Sequence, residues 1–377
     1  MNLAESEAIE RWLAPGTLAV NTCAVTAEAS RQSRRAVRRL RRDNPAARLV
    51  VTGCAATIEP TAFAAMPEVD AVVANADKLV PANWGSADAA PAPRRHTRAF
   101  VPVQTGCDHA CTFCTIPAGR GPSVSQPIAA VIAAVGEHLA AGTREIVLTG
   151  VDLTGWGADL AAPLRLGDLV AALLAAFPRL ERLRLSSLDG VEIDDALFAL
   201  LTGEPRIMPH VHLSLQSGDD MVLKRMRRRH SRSDALALAA RLGAARPAIA
   251  LGADLIAGFP TETDAMHANT LAMVEAMRVV HGHVFPFSPR PGTPAARMPQ
   301  VPPAIARTRA AELRRVIAAN RARWLAGLVG QPRAVLAERD GTGHSPEFAP
   351  YRLPAGTAPG EIVILTPTRV DAEGLLA

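Results

Sequence analysis

The sequence predicts an α/β chain in four parts, and three observations predict it. From about residue 99 to 325, short apolar runs alternate with helical patterns. A smaller alternation of the same kind occupies residues 1–80. Beyond residue 326 the helical pattern stops and only short strands remain. The long middle stretch gives six βα units, the pattern of a parallel sheet curved into a partial barrel. Residues 81–98, rich in Pro, Ala and Gly, read as a linker, and residues 326–377 as a small all-β unit without a helix.

In the first part, residues 5–13 read as a short helix. Residues 17–21 form an apolar strand running into Thr22-Cys23, and residues 27–43 a helix. A second strand at 48–52 runs into Gly53-Cys54, and a short third covers 71–74. Cys23 and Cys54 therefore meet at the carboxyl edge of one sheet, where open α/β sheets bind ligands. In the middle part the strands fall near residues 100–104, 145–149, 182–186, 210–215, 248–256 and 279–285. Helices near 125–141, 165–176, 193–201, 233–245 and 262–277 separate them. Catalytic loops belong at the carboxyl ends of such strands. The first strand leads directly into Cys107, Cys111 and Cys114. In the last part, residues 334–338 and 361–366 read as strands.

Composition narrows the class. The chain has 377 residues, 49% of them hydrophobic and 20% charged, enough for two or three folded domains and unlike a disordered chain. No run of about 18 apolar residues predicts a membrane span. Residues 1–20 lack the basic start and apolar core of a secretory signal. Five cysteines in this length point to a reduced cytoplasm rather than a disulfide scaffold. A net charge of +5 permits an RNA partner without requiring one. Arg31, Arg34, Arg35, Arg38, Arg39, Arg41 and Arg42 crowd one helix, and Arg225, Arg227, Arg228 and Arg229 another segment. A solvated helix face is the default reading of both and an RNA-facing surface the alternative. His210, His212, His281 and His283, on or beside strands, read as structural.

The run Gln104-Thr-Gly-Cys-Asp-His-Ala-Cys-Thr-Phe-Cys-Thr-Ile-Pro carries the chemistry. Three thiolates so spaced hold three corners of a cubane 4Fe–4S cluster and leave one iron open to a substrate or cofactor. A structural zinc is the weaker alternative, because zinc sites close with a fourth ligand and His109 lies inside the loop. With Phe113 before its last cysteine, the run resembles the radical S-adenosylmethionine superfamily. That resemblance implies S-adenosylmethionine bound at the open iron and cleaved to a 5′-deoxyadenosyl radical.

The cysteines of the first part extend the likeness. Asn21-Thr-Cys-Ala-Val-Thr and Val51-Thr-Gly-Cys-Ala resemble the cysteine motifs of the methylthiotransferase family. Supporting segments are Leu148-Thr-Gly-Val-Asp-Leu, Arg184-Leu-Ser-Ser, Leu213-Ser-Leu-Gln-Ser-Gly, Asp254-Leu-Ile-Ala-Gly-Phe-Pro-Thr-Glu-Thr and Phe287-Ser-Pro-Arg-Pro-Gly-Thr-Pro-Ala. The resemblance covers essentially the whole chain. It implies an N-terminal domain (1–80) holding an auxiliary 4Fe–4S cluster, a radical S-adenosylmethionine barrel (99–325) and a TRAM-like RNA-binding β domain (326–377). The family's first N-terminal cysteine stands in a Gly-Cys-Arg-x-Asn-x-x-Glu-Ser-Glu setting, whereas this chain begins Met1-Asn-Leu-Ala-Glu-Ser-Glu. The expected third ligand and a first strand would then lie upstream of Met1. Cys23 and Cys54 would supply two of three ligands, and auxiliary-cluster binding by the 377 residues is expected to be impaired.

What the resemblance implies chemically is methylthio insertion at an unactivated C–H bond. One S-adenosylmethionine methylates sulfur at the auxiliary cluster, and a second supplies the radical. No acid–base residue is needed for the central step, so the protein positions, excludes water and controls cluster potential. Phe113 is a candidate for packing on the adenine and Gly150 for the methionine amino group. Ser186, Ser187, Gln216 and Asp254, polar at buried strand ends, are candidates for cofactor contact; satisfied structural hydrogen bonds are the alternative. The cluster segment, Thr149-Gly-Val-Asp-Leu and Arg184-Leu-Ser-Ser most resemble the class that acts on N6-threonylcarbamoyladenosine at position 37 of the tRNA anticodon loop. Sister classes act on N6-isopentenyladenosine-37 or on an aspartate of a small-subunit ribosomal protein. The carboxylate of a threonylcarbamoyl group calls for an arginine that sequence alone does not single out. An electron donor such as flavodoxin or ferredoxin and a sulfur source are implied partners. A truncated, non-catalytic RNA-binding remnant is the reading from another class, and the intact three-cysteine run argues against it.

Overall fold

The computed structural model describes residues 1–85, 96–371 and 374–376. The chain divides into two units: Met1–Arg94 with Gln104–Val124 and Ser288–Arg297, and Arg95–Val103 with Ser125–Phe287 and Met298–Ala377.

The first unit is a small three-stranded parallel sheet flanked by helices. It runs α1 (Asn2–Glu10), β1 (Thr17–Thr22), α2 (Ala27–Asp43), β2 (Arg48–Gly53), α3 (Cys54–Ile58), α4 (Pro60–Ala64) and β3 (Ala71–Val72), and adds α5 (Ile116–Arg120). The β2 run Leu49-Val-Val-Thr-Gly is buried on both faces, as a central parallel strand requires. Thr26 caps α2 by accepting from the Ala29 amide at 3.0 Å. Six of its seven arginines pair within the unit: Arg31 and Arg35 with Glu28, Arg34 with Glu59, Arg38 with Glu68, Arg41 with Asp70 and Arg42 with Asp43. In β1 and β2, Thr22 lies opposite Gly53. Gly53 has φ +94°, and a Cβ there would lie 2.4 Å from Thr22 O, so only glycine lets the two strand ends close. Cys23 and Cys54 each follow one member of this pair.

Most of the expected linker, residues 86–95, lies outside the described residues. Its first residues are ordered: Pro81–Trp84 is a 3₁₀ turn, and Trp84 is buried with Ile9 and Val50.

The second unit carries six parallel strands in two sheets, β4 (Arg98–Pro102), β5 (Glu145–Thr149) and β6 (Arg182–Leu185), then β7 (His210–Gln216), β8 (Ala250–Ala257) and β9 (His281–Pro286). Bridges Leu183↔Ile207 and Leu188↔Leu213 join the two. Helices α6 (Ile128–Ala140), α7 (Leu166–Ala176), α8 (Asp195–Gly203), α9 (Asp220–Met226), α10 (Arg232–Ala245), α11 (Asp264–Ala276) and α12 (Pro303–Leu328) complete the layer outside. The main core lies between strands and helices. Leu183, Leu185, Leu213, Ala253, Leu255 and Val284 belong to it. Alternation then turns Arg184, His212, Asp254 and His283 to the inner face.

After α12 comes a six-stranded sheet, β10 (Arg333–Ala337), β11 (Thr342–His344), β12 (Pro350–Arg352), β13 (Ile362–Leu365), β14 (Arg369–Val370) and β15 (Leu375–Leu376), ordered β13-β10-β11-β12-β15-β14. It packs on the end of the barrel where the strands begin. Arg98 pairs with Glu338 at 2.6 Å, and Arg182 donates to Ala334 O at 2.5 Å. The Phe348 ring stacks on His344 at 4.3 Å, beneath the guanidinium of Arg184 at 4.8 Å and beside His210 at 5.3 Å. Among the described residues, no helix is long and apolar enough to cross a membrane.

Candidate functional site

None of the five cysteines is in a disulfide. In the first unit, Gly106 makes the three-cysteine loop possible. Its φ is +72°, and a Cβ would fall 1.7 Å from Pro122 O. Gln104 braces the turn by donating to Gly106 O at 2.8 Å and Ser123 Oγ at 2.9 Å, and the Cys107 amide donates to Gly121 O at 3.2 Å. The Cys114 amide closes a turn on Cys111 O at 3.2 Å. Backbone amides also face sulfur: His109 N is 3.4 Å from Cys107 Sγ, and Ile116 N is 3.4 Å from Cys114 Sγ. Such N–H groups stabilise thiolate and cluster sulfur. Phe113, half-buried, lies in the same loop.

Cys54 lies against α5, the helix that follows this loop. A Cβ on Gly119 would be 3.2 Å from Cys54 Cβ. Asn75 ties the two segments, its amide donating to Gly119 O at 2.7 Å and lying 3.6 Å from Cys54 Sγ. Lys78 donates to Asn75 Oδ1 at 2.5 Å and to Glu5 Oε2 at 2.7 Å, and Arg120 meets Glu5 Oε1 at 2.7 Å. Burial opposes ionisation of Glu5, but Arg120 and Lys78 outweigh it and hold the carboxyl at about 2. Cys23 sits on the neighbouring strand end, its amide donating to Ser33 Oγ at 3.3 Å. The segment Ser288–Arg297 belongs here too. Ser288 Oγ accepts from Ala27 N at 3.0 Å, Arg290 donates to Ser30 Oγ at 3.2 Å, and Ala295 N donates to Thr112 O at 2.9 Å.

In the second unit, Gly150 follows β5, Ser186 follows β6 and Gln216 ends β7. Gln216 takes φ 68°, a left-handed conformation uncommon outside glycine. Ser186 Oγ is buried without a hydrogen-bond partner. Asp254 sits deeper, fifth in β8, and is already engaged. Asp254 Oδ1 lies 3.2 Å from His212 Nε2 and 3.0 Å from His283 Nδ1, and Ser187 Oγ is 3.4 Å from Asp254 Oδ2. Burial would raise this carboxyl, but the two imidazoles hold it well below the usual range. The sequence reading treats both histidines as structural. Their signal was the i, i+2 spacing of His210/His212 and of His281/His283, which puts all four on one strand face. The second basic segment pairs locally, Arg228 with Asp189 at 3.0 Å and Arg229 with Glu192 at 2.8 Å.

Residues 101–274 match the radical SAM superfamily, and residues 1–74 match uncharacterized protein family UPF0004. The chain is 41% identical to the threonylcarbamoyladenosine tRNA methylthiotransferase MtaB of Rickettsia prowazekii (strain Madrid E), over 96% of this chain and 91% of that protein. It belongs to the radical S-adenosylmethionine methylthiotransferase family. A second relative, the tRNA-2-methylthio-N(6)-dimethylallyladenosine synthase of Paracoccus denitrificans (strain Pd 1222), is 35% identical over 85% of this chain and 77% of its own length. Among solved structures, a radical S-adenosylmethionine methyltransferase, TsrM, from Kitasatospora setae shares the fold. Its TM-score is 0.54 at 15% identity, covering 78% of this chain and 66% of that one.

The donor set of this methylthiotransferase fits its family's cofactors. Three cysteines on one loop, none in a disulfide and two of them facing backbone amides, can hold a 4Fe–4S cluster. The orphaned Ser186 hydroxyl on the barrel's inner side fits a polar cofactor.

Proposed function

We propose that this enzyme places a methylthio group at C2 of N6-threonylcarbamoyladenosine-37 in tRNA. The observation that carries this reading is the 41% identity, end to end, with a methylthiotransferase named for that nucleoside, against 35% over less of the chain for one named for the dimethylallyl nucleoside. The Gln104-Thr-Gly-Cys-Asp setting of the cluster loop supports the same class.

In this reading Cys107, Cys111 and Cys114 hold the radical cluster, which supplies the electron that cleaves S-adenosylmethionine. Cys23 and Cys54 are ligands of the auxiliary cluster. Gly150, Ser186 and Gln216 are the cofactor-contact candidates of the barrel, and Phe113 is the candidate on the cluster loop. Asp254 acts from behind, through the imidazoles it holds. The chain's own work is to position both sulfur-bearing groups and to keep water from the radical. The sheet after α12 is the TRAM-like domain and faces tRNA, and a flavodoxin or ferredoxin delivers electrons.

Nucleoside mass spectrometry tests the reading, using tRNA from a host without its own adenosine-37 methylthiolation that expresses this chain. Methylthio-threonylcarbamoyladenosine is expected. Methylthio-isopentenyladenosine would move the enzyme to the sister class, and absence of both would overturn the tRNA reading.

A further inference from the structure

We propose that His283 is the specificity residue that receives the carboxylate of the threonylcarbamoyl group, positioned for it by Asp254 and His212. The proposal rests on the threonylcarbamoyladenosine reading above and names the group that reads it.

The placement follows from the strands. Asp254 and His283 are register partners on adjacent parallel strands, so their side chains emerge together on the inner face. The register between β7 and β8 slips between Ala253 and Leu255, which frees the Asp254 position from a β7 partner. Gly252 clears the path: a Cβ there would lie 2.3 Å from His212 Nδ1, so only glycine lets that imidazole cross β8 to Asp254. The buried His212 and Ser187 thus fix Asp254, and Asp254 fixes His283 through Nδ1. A ring pinned at one nitrogen has its other nitrogen aimed. His283 Nε2 has no partner among the described residues, and the side chain is 67% exposed. The Asp254 hydrogen bond also raises the His283 pKa, which favours the form in which Nε2 carries a proton.

Elimination points the same way. The other cations on these strands are paired or buried. Arg98 pairs with Glu338, and Arg182 holds Ala334 O and Glu145. Arg184 is held to Glu145 only through Nε at 2.8 Å; its two terminal nitrogens have no hydrogen-bond partner among the described residues but are buried over the Phe348 ring at the closed end, shut off from a ligand. His210 and His281 are buried there as well, and burial keeps them neutral. Among the described residues of the six strands, His283 alone is both able to carry charge and open to a ligand. An anion of modest size, held by one charge-assisted hydrogen bond, is what such a group recognises.

The test uses the reconstituted enzyme and anticodon stem-loops bearing adenosine, isopentenyladenosine, threonylcarbamoyladenosine or the carboxylate methyl ester of the last at position 37. Wild type is expected to bind the free acid roughly ten- to a hundred-fold tighter than the ester. In His283→Leu that ratio should fall to about one, with KM rising more than kcat falls, and His283→Gln should restore part of it. An unchanged acid-to-ester ratio in His283→Leu overturns the proposal. So does a raised KM for S-adenosylmethionine with the RNA ratio intact, which would give the anion site to the cofactor's carboxylate. Equal binding of acid and ester by a wild type that still makes methylthio-threonylcarbamoyladenosine sinks the proposal and leaves the functional reading standing. Product only on isopentenyladenosine sinks that reading, and the proposal with it. Thermal unfolding of each variant separates loss of recognition from loss of fold.

Discussion

Glu5 and Arg120, 115 positions apart, meet through two buried hydrogen bonds of 2.7 and 3.1 Å. Lys78 Nζ lies 2.7 Å from the same carboxylate. One buried anion is shared by two buried cations, and this joins α1 and the residues after β3 to the helix that follows the three-cysteine loop.

Removing that anion should be costly. Glu5→Gln leaves Lys78 and Arg120 buried without a counter-charge, and about 3–5 kcal/mol of stability is expected to go. The acid limb carries the same signature. The Glu5 carboxyl sits at about 2 when folded, against an ordinary 4.5. Its contribution is therefore complete above pH 4.5 and is lost as pH falls toward 2, a change of up to about 3 kcal/mol. Acid unfolding followed by the fluorescence of buried Trp84 should be steeper between those limits in wild type than in Glu5→Gln. Parallel curves would rule out the Glu5 contribution.

Gly106→Ala tests the loop alone. The new methyl meets Pro122 O, and the residue must keep φ +72°. The purified variant is expected to retain its far-ultraviolet circular dichroism yet lose most of the iron and visible absorbance of the cluster proposed at Cys107, Cys111 and Cys114. Iron content equal to wild type would show that the loop relaxes.

Asn75→Leu removes the amide that joins Cys54 Sγ to Gly119 O. In the proposed reading its effect should fall on whatever auxiliary iron is held at Cys23 and Cys54, while electron paramagnetic resonance of the cluster proposed at Cys107, Cys111 and Cys114 persists. Equal loss of both signals would mean Asn75 supports the whole unit.

Phe348→Ala opens the closed end of the barrel. The ring is only half-buried, so about 2 kcal/mol of stability is expected to be lost. His281 is the better reporter. Burial, with Arg321 nearby, holds its pKa at about 3 in wild type. Water admitted by the truncation should move it toward 6.5, measurable by NMR titration of the ring protons.

The main elements were legible because periodicity and breakers agreed. The second barrel strand, Glu145–Thr149, falls where the apolar run put it, and the five expected barrel helices begin and end within three residues of their expected positions, whereas Asp220–Met226 and Pro303–Leu328 were not anticipated. Four strands of the last sheet, between two and three residues each, were not legible, since so short a run has no period to read. The cysteine run announced itself by spacing. Asn75, Lys78 and Arg120 did not, because their meaning lies in one buried contact between distant segments. Asp254 was singled out as a buried polar group, but the histidines that hold it looked ordinary until register placed them on one face.

The first unit is built from three separate stretches, and the last of them ends at Arg297. During synthesis Ala27 and Ser30 leave the ribosome some 260 residues before Ser288 and Arg290, the groups that complete their hydrogen bonds. Contacts of such separation are slow to form and leave early segments exposed to misassembly. Nascent chains released before residue 297 should be the ones that chaperones retain. A chimera that exchanges this unit between relatives must carry Ser288–Arg297 with it, or the recipient inherits a half-finished surface.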